Sequence, residues 1–119
     1  MQLLTLAQRH QLLQNGRAQR AAIDRQDRAL DFEPVVKLFT PDANATWLLT
    51  ELNPDQPDLA FALCDLGLGE PELGYVSLAE LAELRGPLGL PIERDLYFAR
   101  TRTIAAYAEQ AREHRRIVT

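Results

Sequence analysis
Leu63 to Tyr75, LCDLGLGEPELGY, gathers the only cysteine of the 119-residue chain, three of its six glycines and three carboxylates. A dinucleotide-binding turn needs Gly-x-Gly-x-x-Gly running from a strand into a helix, so that backbone N–H groups and the helix N-terminus meet phosphate. Gly67 and Gly69 begin such a turn, but Glu72 stands where the third glycine belongs and a strand pattern follows. Asp65, Glu70 and Glu72 would also repel the phosphate. A phosphate-binding P-loop fails because no Gly-Lys-Ser/Thr follows. The glycines instead suit positive φ angles in a hairpin whose turn Pro71 helps to fix.

Cys64 needs a base to act as a nucleophile. The two histidines, His10 and His114, lie in or near terminal helices with no local pairing signature. A free cysteine in an apolar run is a core residue by default. No His-x-x-x-His, cysteine pair or Asp-x-Asp-x-Asn loop offers a metal-ligand set. Glu51 and Asp65 are the carboxylates that could do acid–base work, on condition that they converge in an open pocket. No catalytic, cofactor-binding or metal-ligating residue is assigned, and an enzyme is the least supported class.

The elements that would carry these residues follow from pattern. Thr5-Leu6-Ala7-Gln8 has the form of a capping box opening a helix, with Gly16 as its expected stop. Leu6, His10 and Leu13 form its thin apolar stripe. Residues 17–30 favour either an exposed helix or a mobile linker. From Phe32 onward, VVKLF (35–39), TWLLTEL (46–52), LAFALCDL (59–66) and LGYVSL (73–78) read as strands separated by turn residues. Ser77-Leu78-Ala79-Glu80 opens a helix over 78–85, a short fifth strand is expected near 95–98, and 103–116 reads as a closing helix. The expected fold is α+β, an antiparallel sheet of four to five strands with two packed helices. Residues 1–30 form an N-terminal helical extension and 31–119 a single domain.

Charge narrows the partners. Residues 1–30 carry five arginines against two aspartates, 31–98 thirteen carboxylates against three basic groups, and 99–119 five arginines against two glutamates. An acidic body between Arg-rich ends repels nucleic-acid phosphates, so nucleic-acid binding should be weak at most. No apolar run approaches the roughly 18 residues that span a bilayer, and a lone cysteine agrees with a reducing compartment. The expected location is the cytoplasm, without membrane association.

The run PVVKLFTPDANATWLLTELNPDQPDLAFALCDLGLGEPELGYVSLAELAELRGPLGLPIERDLYF, with LLTLAQRHQLLQNG before it and AAYAEQAREHRRI after it, resembles domain-of-unknown-function family 2958. LCDLG, PELGYVSL and RGPLGLPIERD are the specific segments. The resemblance implies a small bacterial protein often carried on plasmids and other mobile elements, and brings no established activity or site residue.

Closing each hairpin by its shortest turn sets Phe39 opposite Trp47, Trp47 opposite Cys64 and Cys64 opposite Tyr75. Alternation then gives a core face of Val36, Leu38, Leu48, Leu52, Phe61, Leu63 and Val76. The other face carries Phe39, Trp47 and Tyr75, with Lys37 and Glu51 at the rim and Ala60, Ala62 and Cys64 as a floor. That groove is filled either by the chain's own terminal helix or by a protein partner. Lys37, Phe39, Trp47, Glu51 and Tyr75 are therefore the candidate partner-binding residues. The expected function is a non-catalytic interaction or regulatory accessory protein of a bacterial mobile element. An acidic, DNA-mimicking inhibitor of a host defence nuclease and a weak nucleic-acid binder acting through the Arg-rich terminal helices are the alternatives.

Overall fold
The structure, a computed structural model, describes residues 2–119. Its elements are α1 (Leu6–Asp24), β1 (Val36–Phe39), β2 (Thr46–Leu52), β3 (Leu59–Asp65), β4 (Glu72–Ser77), α2 (Leu78–Glu83), β5 (Glu93–Arg94) and α3 (Ile104–His114). The five strands form one antiparallel sheet in the order β4-β3-β2-β1-β5. This is the expected α+β architecture, with the fifth strand at 93–94 rather than 95–98.

The Thr5 hydroxyl accepts the Gln8 N–H at 3.1 Å while the Gln8 side chain accepts the Thr5 N–H at 2.9 Å, so α1 starts at its capping box. It does not stop at Gly16. A Cβ at Gly16 would overlap the Leu52 carbonyl oxygen, so this glycine lets the helix lie directly on the end of β2. Leu12, Asn15, Gly16 and Ala22 are the buried positions of α1, whereas Leu6 and His10 of the expected stripe are exposed. Leu12 is fully buried, worth about 2 kcal/mol of apolar burial. Beyond Asp24 the chain turns back, and the Gln19 side chain holds it by accepting the Leu30 N–H at 2.8 Å and donating to the Leu30 carbonyl at 3.0 Å.

The sheet separates two apolar clusters. On one side, the α1 face, Val36, Leu38, Trp47, Leu49, Leu52, Ala60 and Ala62 pack with Leu4, Leu12, Leu78, Leu81 and Ile92. On the other, the α3 face, Leu48 and Leu63 pack with Ile104, Tyr107, Ala108, Ala111 and Ile117. Thr103, the N-cap of α3, makes no side-chain cap; Asp31 supplies one instead, its carboxylate accepting the Ala105 N–H at 3.1 Å.

Two features reorder the faces expected from alternation. Leu38, not Phe39, stands opposite Trp47, and Phe61, not Cys64, stands opposite Tyr75. The β1–β2 and β3–β4 hairpins are thus displaced by one and three residues, odd numbers that move side chains to the other face. The Trp47–Cys64 pair is as expected. A β-bulge at Thr50 then breaks alternation within β2, since Leu49 pairs with Ala62 and Glu51 with Phe61. The Thr50 carbonyl accepts the Asn15 side-chain N–H at 2.9 Å, which ties the bulge to α1. Trp47 and Leu49 consequently face α1, and Glu51 faces the opposite way.

Candidate functional site
The glycine-rich stretch that raised the question of chemistry is a turn. Gly67 and Gly69 have φ of +80° and +81°, the left-handed region that glycine enters without a Cβ penalty. Asp65 is buried and spends both carboxylate oxygens on backbone donors, the N–H groups of Gly67 and Ile117, each at 2.9 Å. Its task is to join the β3–β4 turn to the C-terminal tail. Cys64 is half-buried on the α1 face, and burial first, then the charge of Glu72, pushes its thiol up to about 11. At neutral pH it is a protonated, poorly nucleophilic thiol.

Glu51 and Asp65 do not converge. They lie on the α3 face, but Glu51 pairs with Phe61 and Asp65 lies four residues further along β3, about 13 Å away. Glu51 is 6 % exposed, and its one side-chain partner is the Gln19 amide at 3.4 Å. Burial without a cation raises its pKa, opposed by the Gln19 hydrogen bond. Among the described residues no cluster of three or more His, Cys, Asp or Glu is arranged to hold a metal ion.

The five partner-binding candidates separate into three environments. Trp47 is 2 % exposed in the α1-face core beside Ala62, so the small-residue floor exists but its own chain covers it. The aromatic groove with Phe39 and Tyr75 beside Trp47 does not form, because the register displacement puts those two on the α3 face. Lys37 and Phe39 lie on β1 on that face. The Lys37 ammonium is 3.4 Å from the Asp95 carboxylate and donates to the Thr119 hydroxyl at 2.6 Å. Glu51 and Tyr75 share a cross-strand row with Phe61, running Glu51–Phe61–Tyr75 from β2 to β4. Tyr75 is 55 % exposed, with its ring edge-on to Phe61 at a centroid distance of 5.3 Å.

That row ends on an open edge. β4 has β3 on one side and no strand on the other. Among the described residues, no backbone or side-chain group bonds the outward N–H and C=O groups of Leu73 to Val76. Leu73, on the same face as Tyr75, is 43 % exposed, and Gly74 between them has open space around it. No lysine or proline interrupts the strand, although these residues commonly blunt such edges. Leu73 and Phe61 were not singled out from sequence; the legible signal was LGYVS itself, a short alternating strand lacking the usual edge protection.

Fold and edge together define an α+β protein whose five-stranded sheet is helix-covered on both faces and exposed along one full-length strand. The chain belongs to the family described as "Protein of unknown function (DUF2958)", which matches residues 3–118. Neither a curated protein nor a solved structure matches the chain. No helix among the described residues is long and apolar enough to cross a membrane.

Proposed function
We propose that this protein is a non-catalytic interaction module, an accessory or regulatory protein of a bacterial mobile element, that takes an extended segment of a partner protein onto the outer edge of β4. The observation that supports this reading is the unpaired, uninterrupted edge of β4 with Leu73 and Tyr75 exposed beside it. An added strand gains main-chain hydrogen bonds along the edge and selects its side chains by alternation. One face of the incoming strand meets Leu73 and Tyr75 and so must be apolar. The opposite face meets Glu72, with Glu70 just before it in the turn, and so favours lysine or arginine. Tyr75 suits an anchor because a large, rigid side chain buries much area at low entropic cost.

The test uses a synthetic peptide of alternating valine and lysine as the probe, with a scrambled peptide of the same composition as control. Hydrogen exchange should slow at alternate amides of β4 with the alternating peptide only. Tyr75→Arg should weaken binding about tenfold or more while leaving the unfolding midpoint near its original value. Protection located away from β4, or unchanged affinity in Tyr75→Arg, would overturn the reading. Concentration-dependent protection of β4 without any peptide would replace the partner by a second copy of this chain.

A further inference from the structure
The C-terminal tail lines a concavity that is independent of the β4 edge. Asp65 pins Ile117 across the ends of the strands, and the space beneath has a volume of about 760 Å³, within the range of small-molecule sites. Its wall carries three cations, Lys37, Arg115 and Arg116. Lys37 is balanced by Asp95, whereas neither Arg115 nor Arg116 has an ion-pair partner among the described residues. The second carboxylate of the wall, Asp65, is occupied by two backbone N–H groups. In a chain of net charge −4, this concavity is therefore bordered by two exposed arginines that no carboxylate neutralises among the described residues.

Two further observations point to a ligand. Phe39 lines the space, is half-buried, and belongs to neither apolar cluster of the fold. Arg115 closes α3 at φ +58°, a left-handed C-cap position where glycine is the favoured residue. Arg115 borders the space from that strained position, where a glycine would be the less costly residue.

We propose that this cavity binds a small phosphorylated ring compound of the mononucleotide class, the ring against Phe39 and the phosphate between Arg115 and Arg116. The planar guanidinium fork matches phosphate oxygens in pairs, and an aromatic face accepts a planar ring. A small ligand fits better than a nucleic acid, because the acidic body around the site repels a polyanion.

The experiment is a titration of the full chain by amide NMR with AMP, with adenosine and inorganic phosphate as separate arms. AMP should shift the amide signals of Asn44, Gly67, Gly69 and Arg116 saturably, and each fragment should bind about tenfold or more weakly. Arg115→Gly should raise the unfolding midpoint, by relieving the left-handed position, yet weaken AMP binding. Arg116→Ala should weaken it without changing the midpoint. No saturable shift at millimolar AMP, or affinity unchanged in both variants, would overturn the site. Adenosine binding as tightly as AMP would overturn the role of the arginines, and phosphate binding as tightly would overturn that of Phe39. An oligonucleotide held at the same amides more tightly than AMP would overturn the small-ligand class.

Discussion

Gly16 of α1 lies against the backbone carbonyl of Leu52, so closely that any Cβ would overlap the oxygen. The contact is backbone on backbone, with no flexible side chain to move aside. Next to it, Asn15 bonds the Thr50 carbonyl that the bulge releases from the ladder. Gly16→Ala should therefore destabilise the fold by about 3 kcal/mol, although alanine is the better helix former by about 1 kcal/mol. A denaturant titration followed by far-UV circular dichroism checks this, and a more stable variant would mean that α1 does not seat on β2.

Glu51 carries a pH dependence of defined sign. Burial lifts its folded-state pKa above the unfolded value, so the folded protein holds this proton more tightly between the two. Stability should fall as pH rises through that window, and the cost is fully present above the folded pKa. Glu51→Gln should stabilise the protein at neutral pH by on the order of 1 kcal/mol, since the amide removes the buried charge and keeps a partner for Gln19. The advantage should vanish below the normal carboxylate range. Unfolding midpoints of both proteins across pH give the comparison, and a destabilised Gln variant at neutral pH would contradict it.

Cys64 should be slow to react. With its thiol pushed up to about 11, the reactive thiolate is scarce at neutral pH. Labelling by a disulfide reagent should be about 100-fold or more slower in the native protein than in guanidinium, where an ordinary cysteine pKa near 8.5 returns. The native rate should climb with pH well above 9. Equal native and denatured rates would place the thiol in solvent.

The aromatic candidates should divide by burial. Trp47→Ala should cost about 3–5 kcal/mol, because Trp47 fills the core between the sheet and its helical cover. Tyr75→Ala, on the exposed edge, should cost about 1 kcal/mol or less, the Phe61 contact being its main loss. In the wild type, acrylamide should quench Trp47 fluorescence far less than it quenches free tryptophan. Comparable costs for the two variants would show that the Trp47 face is open.

Element types were legible in the sequence because they depend on local chemistry. The Thr5–Gln8 capping box, the Ser77 cap of α2 and the positive-φ glycines at 67 and 69 all follow from a few neighbouring residues. The α+β class and the four main strands follow from apolar runs separated by turn residues. Register did not, because a hairpin displaced by one or three residues leaves local composition unchanged yet exchanges every side chain between faces. The bulge at Thr50 is equally silent: it is held by Asn15, thirty-five positions away, and it alone sends Glu51 to the face opposite Trp47. Gly16 reads as a helix stop until Leu52 is known to lie against it. The sequence by itself determined the α+β class, the four main strands and the caps that open α1 and α2. Tertiary structure decided that Trp47 is core, that Tyr75 lies on an open edge and that Arg115 and Phe39 share a cavity, because each depends on contacts between segments distant along the chain.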